Sequence, residues 1–393
     1  MTRINADWLD RRLCQKLVLA LGADRVRFVG GAVRDTLVGR SIKDIDAATT
    51  WLPEETKARL ETAGIKVIPT GLQHGTVTAV AEGDAIEVTT LRQDVETDGR
   101  HAVVSFTDRW EEDAKRRDFT MNALYLSADG TLFDYFGGAE DAVAGRVCFI
   151  GDAAARIEED ALRIMRFFRF HAHYGTGEMN PEGLEATRRK MALLGKLSVE
   201  RIRDELLKLL AADWPCDVLK SMDDIGVWPH TPLGTVDLHL LRTVIGNERR
   251  FGFEVDPIAR LAGLVGEGGD PVGKTLKLSN DQRDKLSKAC LGLRLRVPGN
   301  VPAMKSLIYQ FGRMAGKMTV LMVVGDLERE KVDVVKEWEI PEFPMKGRDL
   351  LALGMRPGPE ISKTLLVLEQ EWLKSGFKIG RDALLERAAV LIG

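Results

Sequence analysis

The sequence predicts an α/β head with a small mixed sheet, followed by an all-α remainder. Three observations predict this fold class. Short runs rich in β-branched residues recur between residues 26 and 90, and a Gly pair joins the first run to a helical pattern. Beyond about residue 141 the apolar residues follow helical spacing, interrupted by prolines. A chain of 393 residues is long enough for two to four such domains.

The composition is that of a folded protein of ordinary character. Hydrophobic residues make up 45% and charged residues 29% of the chain, which excludes a disordered protein. A net charge of −3 argues against a uniformly basic nucleic-acid binder, although a local basic face is compatible with it. The 4 cysteines are scattered without a C-x-x-C spacing, as in a reducing compartment. With no signal peptide and no bilayer-spanning run, we expect a cytoplasmic protein without a membrane partner.

The elements of the head follow from local patterns. Apolar residues at helical spacing predict a first helix over residues 5–21, and Pro53 begins a helix that ends before Gly64. The segment from 92 to 106 is polar and lacks periodicity, which predicts a mobile loop. A hairpin is expected around Asp129-Gly130. The predicted strands cover residues 26–29, 44–47, 65–68, 75–80 and 85–90.

The segment from Arg27 to Trp51 carries the first candidate chemistry. A glycine pair, Gly30-Gly31, lies between a strand and a helix, where the backbone can approach a phosphate closely. Asp44 and Asp46 follow in a D-I-D sequence, so on a strand their carboxylates share one face. Such a pair is stable mainly with a cation between its members, and oxygen ligands suit Mg²⁺ with nucleotide phosphates. Either half alone also fits a plain turn or a solvated strand edge.

Two further segments add candidate residues. In the strand AIEVTT, Glu87 lies on the polar face, either as a third carboxylate of the metal site or as an exposed strand residue. The octet that begins at Arg116, RRDFTMNA, combines arginines suited to triphosphate oxygens with Asp and Asn suited to ribose hydroxyls. On composition alone it also fits a surface ion-pair cluster.

A helix is predicted over the run IEEDALRIMRFFRFHAHYG, residues 157–175. On the residues alone, its Glu159, Asp160 and Arg163 form surface ion pairs. A later helix, LSVERIRDELLKLL, is predicted with Ser198 as its N-cap and an Arg201/Glu205 pair.

In this order, GGAVRDTLVG…DID, RRDFTMNA and EEDALRIMR resemble motifs of the nucleotidyltransferase superfamily. They are most similar to the class II CCA-adding tRNA nucleotidyltransferases and the related bacterial poly(A) polymerases. The resemblance is specific over residues 27 to 210 and looser beyond. It implies an enzyme that adds C, C and A to tRNA 3′ ends from CTP and ATP, with Mg²⁺ as cofactor and no DNA partner.

The resemblance also implies roles for individual residues. Asp44 and Asp46 would hold the metal, with Glu87 as a further catalytic carboxylate. Asp160 and Arg163 would act as a protein template for the base, because an Asp accepts from the exocyclic amine of C or A and an Arg donates to a ring nitrogen. Lys346, Arg348 and Arg356, around a Gly-rich turn, would contact RNA. The nucleotide-binding set would be Gly30, Gly31, Arg34, Arg117, Asp118, Asn122, Asp160, Arg163 and Arg166.

We expect a catalytic head over residues 1–140, a helical neck that selects the nucleotide over 141–212, and a helical body and tail that bind tRNA over 213–393. The alternatives are a poly(A) polymerase, a CC-adding or A-adding specialist, and an inactive RNA-binding protein on this fold. The arginine-rich segment of the poly(A) polymerases is replaced here by PTGLQHGTVTAV, which favours CCA addition. A G-x-x-x-x-G-K-T match at Gly268–Thr275 is a chance match, because it follows a predicted helix and not a strand.

Overall fold

A computed structural model describes residues 2–97, 102–266 and 268–392. The chain divides into two compact units, Met1–Gly234 and Thr235–Gly393. Among the described residues, no helix has the length and apolarity needed to cross a bilayer.

The first unit is built on a seven-stranded mixed sheet, which confirms the predicted α/β head. Its strands are β1 (Val26–Val29), β2 (Ile45–Thr49), β3 (Lys66–Gly71), β4 (Thr76–Ala81), β5 (Asp84–Thr90), β8 (Leu124–Leu126) and β9 (Leu132–Asp134). Their order across the sheet is β3-β4-β5-β2-β1-β8-β9. Strands β2 and β5 are parallel, and the neighbouring pairs on either side of them are antiparallel.

Alternation along β2 separates the core face of the sheet from the face that carries polar groups. Ile45 and Ala47 pack into the main hydrophobic cluster with Leu17, while Asp46 and Ala48 point to the other face. Five helices accompany the sheet: α1 (Arg12–Leu21), α2 (Gly31–Leu37), α3 (Pro53–Thr62), α4 (Trp110–Lys115) and α5 (Gly138–Ala144).

The prediction of a loop over residues 92–106 is wrong for the described part of that segment, which forms two strands. Strand β6 (Arg92–Thr97) pairs antiparallel with β7 (Ala102–Phe106), in a separate two-stranded sheet. The β-branched residues of AVVSF favour a strand, and a bulge between Asp94 and Glu96 interrupts the regular period that would have shown it in the sequence. Residues 98–101 lie outside the described residues.

A helical layer follows the head, and its first helix is interrupted. Where one continuous helix was predicted, α6 and α7 are separated at Asp160, whose backbone is extended with φ −150° and ψ 104°. The Asp160 side chain accepts the N–H of Leu162, the first residue of α7, at 3.1 Å. The helices of this layer are α6 (Ala153–Glu159), α7 (Leu162–Tyr174), α8 (Pro181–Lys190), α9 (Val199–Leu210) and α10 (Cys216–Asp224).

Two predictions about α9 need correction. Ser198 stands at the N-cap position but its side chain makes no capping hydrogen bond. Arg201 and Glu205 do not pair with each other, because each has a partner on another part of the unit: Asp160 for Arg201, and Arg169 for Glu205. Tertiary partners therefore replace the local pair that the i,i+4 spacing suggested.

The second unit is helical throughout its described part, as predicted. Ser279 caps a helix with a reciprocal hydrogen bond from Gln282. The G-x-x-x-x-G-K-T match is largely helix α13, so it forms no phosphate loop. The helices are α11 (Leu238–Phe251), α12 (Pro257–Val265), α13 (Gly269–Thr275), α14 (Asn280–Arg294), α15 (Val301–Phe311), α16 (Arg313–Leu321), α17 (Arg329–Glu337), α18 (Gly347–Ala352), α19 (Pro359–Lys374) and α20 (Arg381–Ile392).

Candidate active site

The two predicted catalytic carboxylates of the sheet lie side by side on neighbouring strands. Asp46 on β2 is in register with Glu87 on β5, so both side chains point to the polar face. Asp44 precedes β2 and is exposed. Burial raises the pKa of Asp46, and the negative charges of Glu87 and Asp44 raise it further. Three carboxylates are therefore close enough to interact.

These carboxylates fit a divalent cation that is completed by other ligands. No group of three His, Cys, Asp or Glu side chains in the described chain is already arranged around one point. The mutual repulsion of Asp46, Glu87 and Asp44 nevertheless marks a place where a cation is favourable, and oxygen donors are what Mg²⁺ prefers. Nucleotide phosphates would supply the remaining oxygens.

The glycine turn lies beside an arginine of the RRDFTMNA segment. Gly30 has φ +74°, a conformation that glycine adopts readily, and a Cβ at this position would lie 3.8 Å from Nη1 of Arg117. Arg117 also lowers the pKa of Asp46 by its charge, against the effect of burial. The positively charged guanidinium of Arg117 therefore lies near both the Gly30 turn and the carboxylate of Asp46.

Asp118 and Asn122 belong to a buried polar network. Asp118 accepts from Asn122 Nδ2 at 2.9 Å and from Arg166 Nε at 2.7 Å. Burial raises the pKa of Asp118, but Arg166 and these hydrogen bonds more than offset it and lower the pKa overall. Glu205 extends the network, since it lies 3.9 Å from Arg166 Nη1 and also accepts from Arg169 at 2.5 Å. These contacts fix Asp118 as an ionised acceptor.

Arg34 supports this network and has its own nitrogens engaged. Its Nη1 donates to Asn122 at 2.6 Å, its Nη2 to the Tyr174 hydroxyl at 2.7 Å, and its Nε to Asp35 at 3.0 Å. The guanidinium also lies over the Tyr174 ring, 4.0 Å from its centroid, and Arg34 is only 7% exposed. The geometry therefore links Arg34 to Asn122 and gives it little freedom to reach a phosphate.

The interruption between α6 and α7 holds the two predicted base-reading residues. Arg163 donates to Glu159 at 2.6 Å and to the Arg116 carbonyl at 3.1 Å. Asp160 accepts from Arg201 Nη2 at 2.8 Å. Glu159 thus orients Arg163, while a different helix, α9, holds Asp160. A local sequence pattern contains no information about that partner.

One residue that the sequence did not single out is buried beside Arg117. Asp113 on α4 is 1% exposed and accepts from Arg116, Arg117 and the Tyr125 hydroxyl. The sequence does contain one indication of this role. Asp113 precedes Arg116 by three residues and Arg117 by four, which is the spacing of ion pairs on a helix.

In the second unit, the predicted RNA-contacting residues surround the N-terminus of α18 and the turn after it. Lys346, Arg348 and Arg356 are exposed. Asp349 caps α18 by accepting the Lys346 N–H at 2.7 Å and is held by Arg381 at 2.6 Å. The turn is therefore a fixed support for exposed cations.

Comparisons with known proteins identify the class. Residues 26–148 match the family described as "Poly A polymerase head domain", and residues 178–232 match "Probable RNA and SrmB- binding site of polymerase A". Fold, matched head and carboxylate-bearing sheet define a nucleotidyltransferase of the poly(A) polymerase type.

Relatives over nearly the whole chain narrow this class. The CCA tRNA nucleotidyltransferase 1, mitochondrial, of Danio rerio is 38% identical over 92% of this chain and 86% of its own length. The CCA-adding enzyme of Bacillus cytotoxicus is 32% identical over 91% of this chain and 92% of its own. This chain belongs to the family of CCA-adding tRNA nucleotidyltransferases.

Solved structures agree with this assignment. The CCA-adding enzyme of Bacillus stearothermophilus in complex with CTP has a TM-score of 0.78 and 26% identity, and the match covers 97% of this chain and 98% of that chain. A Thermotoga maritima CCA-adding enzyme complexed with tRNA has a TM-score of 0.67 at 19% identity, covering all of both chains, which is a likeness of fold.

Proposed function

We propose that this protein adds C, C and A to the 3′ end of tRNA, using CTP and ATP and releasing pyrophosphate. The observation that carries the proposal is the Asp46–Glu87 pair in register on the polar face of the sheet, with Arg117 and the Gly30 turn beside it. The relatives over nine-tenths of the chain that are named CCA-adding enzymes support the same reaction.

We assign the metal to Asp44 and Asp46, with Glu87 as a third carboxylate, and name Mg²⁺ as the ion. Mg²⁺, when bound, supplies Lewis-acid activation of the tRNA 3′-hydroxyl and neutralises charge on the triphosphate. In this proposal Glu87, which is exposed on the polar face, takes the hydroxyl proton. The 3′-oxygen then bonds to the α-phosphorus as the bond to the β-phosphate bridge breaks, in line, and pyrophosphate leaves.

The predicted nucleotide-binding residues of the first unit hold the nucleotide in this proposal. Arg117 and the Gly30-Gly31 turn bind the triphosphate, and the Asp118–Asn122 pair offers acceptors and donors to the ribose. Arg34 and Arg166 act by fixing Asn122 and Asp118. Asp160 accepts from the exocyclic amine of the base and Arg163 donates to a ring nitrogen. Both C and A offer these two groups.

The second unit binds the acceptor end of tRNA by shape and backbone charge, with Lys346, Arg348 and Arg356 among its contacts. The proposed domains are a head over 1–140, a neck over 141–212 and a body with tail over 213–393.

We also propose a cytoplasmic location, which the four free cysteines support. The vertebrate relatives carry the word mitochondrial in their names.

Primer extension tests the proposal. Three synthetic tRNAs, ending before CCA, after C and after CC, are incubated with each nucleotide alone and with CTP plus ATP, in Mg²⁺ and in EDTA. Addition of C, C and A followed by a stop supports the proposal. A long A tail on generic RNA assigns a poly(A) polymerase, and a halt at CC, or action on the CC substrate alone, assigns a specialist. No addition at all favours an RNA-binding protein.

A further inference from the structure

One buried carboxylate joins four groups of the head that come from three segments: the end of α4, β8 and β6. Asp113 on α4 accepts from Arg116 Nε at 2.8 Å, Arg117 Nη2 at 3.2 Å and the Tyr125 hydroxyl at 2.7 Å. It also accepts the backbone N–H of Arg92, the first residue of β6, at 3.3 Å. Two arginines, a strand residue of the main sheet and the base of the β6–β7 pair therefore share one acceptor.

The charge of Asp113 is present at every working pH. Burial by itself would raise its pKa, but Arg117 and Arg116 outweigh burial and lower the pKa of Asp113 to about 2. A buried carboxylate with these partners is fully ionised, and it neutralises one of the two adjacent guanidinium charges. Without it, Arg116 and Arg117 would repel each other.

Arg117 is held on one edge and open on the other. Its Nη2 is bonded to Asp113 and its Nε to the Tyr125 hydroxyl at 3.2 Å. Its Nη1 is directed toward Gly30 and has no hydrogen-bonding partner among the described residues. The two bonds fix the plane of the guanidinium, so that Nη1 remains available to an anion between the Gly30 turn and the carboxylates.

We propose that Asp113 is a positioning residue that, with Tyr125, aims Arg117 at the triphosphate of the incoming nucleotide. It acts through Arg117 and contacts no substrate atom itself. The inference deepens the proposed function, since it takes the ligand at the Gly30 turn to be a nucleoside triphosphate. It predicts that Asp113 affects affinity for CTP and ATP and leaves affinity for tRNA unchanged.

The test is calorimetric binding of CTP and of tRNA to the full chain with Mg²⁺, for Asp113→Asn and for a matched control. Asn keeps the shape of Asp113 but removes its charge. Glu112→Gln is the same kind of change one residue away, at a half-buried side chain that pairs with Arg109 at 3.5 Å. We expect Asp113→Asn to weaken CTP binding about tenfold, about 1.4 kcal/mol, with tRNA binding and the control unchanged.

A double-mutant cycle separates positioning from a general loss of structure. If Asp113 acts through Arg117, replacing Asp113 in an Arg117→Ala background should weaken CTP binding no further. Tyr125→Phe, which removes a single hydroxyl, should weaken CTP binding in the same direction and serves if Asp113→Asn does not fold. A merely structural role would instead lower CTP and tRNA binding together.

The inference is overturned if Asp113→Asn, or Tyr125→Phe in its place, binds CTP like the unchanged protein, or if its effect persists in full without Arg117. These results are distinct from failure of the proposed function. A wild-type protein that binds CTP but extends no tRNA would refute the reaction and still allow the binding cycle to decide the role of Asp113.

Discussion

Asp46 on β2 and Glu87 on β5 are partners in a parallel pairing, and both side chains point to the polar face of the sheet. In-register positions on neighbouring strands are about 4.8 Å apart, so the two carboxylates are near neighbours. An arrangement of this kind is unfavourable unless a cation lies between the two groups. The pair therefore connects the architecture of the sheet with the metal site that we propose.

Glu87→Gln tests whether Glu87 is part of that site. The change keeps the side-chain shape and removes one negative charge, so we expect a kcat about 100-fold lower, which corresponds to about 2.7 kcal/mol, and a higher Mg²⁺ requirement. Single-nucleotide addition at varied Mg²⁺ measures both. Glu61→Gln on α3, where the side chain is 51% exposed, is the control. Unchanged kinetics would leave Glu87 as an ordinary exposed strand residue.

Asp46→Asn should stabilise the metal-free protein near neutral pH. The folded-state pKa of Asp46 is raised by burial and then by Glu87, so ionising it costs more in the folded than in the unfolded chain. Its contribution to stability is complete below the unfolded pKa of about 3.9 and is lost as pH rises through the raised value. The Asn variant escapes that loss.

Thermal unfolding in EDTA at several pH values measures this effect. The midpoint of Asp46→Asn should exceed that of the wild type at pH 7 and approach it near pH 4. Added Mg²⁺ should raise the wild-type midpoint more than that of the variant. A variant that is less stable than the wild type at pH 7 without metal would contradict the argument.

Local patterns were enough to predict the strands of the main sheet, the Asp129-Gly130 hairpin and the helical second unit, but not the β6–β7 pair. Alternation and turn residues are properties of neighbouring positions. Partners distant in sequence were missed for the same reason. The contact of Arg201 with Asp160 spans 41 positions, and it holds the side chain of the residue at which the predicted helix is interrupted.

The candidate site shows the same division. The D-I-D pair and the RRDFTMNA segment were recognisable, and the structure brings Asp46, Glu87 and Arg117 together. The pairing of Asp46 with Glu87 depends on strand order, which the sequence did not state. The role of Asp113 depends on Tyr125, twelve positions away on β8. Strand order and buried acceptors are tertiary properties.

Arg201 should influence which base is accepted, because it holds one oxygen of Asp160 while the other accepts the Leu162 N–H. In Arg201→Ala we expect the preference for CTP and ATP over UTP and GTP to fall about tenfold, about 1.4 kcal/mol. Ratios of kcat/KM for single additions measure it. Arg201→Lys should restore part of the preference.

The control for Arg201 is Arg189→Ala on α8, which removes another surface ion pair, to Glu185 at 2.8 Å. This variant should select bases like the wild type. Equal selectivity of Arg201→Ala and wild type would show that α9 does not set the position of Asp160 during selection.

Arg348 and Arg356 are expected to contribute to tRNA binding alone. Each lies exposed near α18, so replacing both by Ala should weaken tRNA binding and reduce the slope of log K against log salt by about 1 to 2. Binding of CTP should not change. The control is Arg387→Ala on α20, which removes a cation that pairs with Glu371 at 2.6 Å. An unaltered salt slope would exclude these arginines from the interface.

The buried ion pair of the second unit should be necessary for its stability. Arg260 Nε donates to Glu248 at 2.6 Å, both side chains are 1% exposed, and Lys317 lies 3.6 Å from the other Glu248 oxygen. Glu248→Gln would remove the negative charge that lies between Arg260 and Lys317, while both cations remain, at a cost of about 3–5 kcal/mol. Amide hydrogen exchange of α11 and α12 in the full chain measures this as faster local opening.

Replacing both Arg260 and Glu248 by Leu should recover much of that loss, because the desolvation of both charges disappears with them. Lys220→Ala, which breaks a surface pair with Asp224 in the first unit, should alter exchange by no more than about 1 kcal/mol. If Glu248→Gln exchanged as slowly as the wild type, the pair would have no net stabilising role.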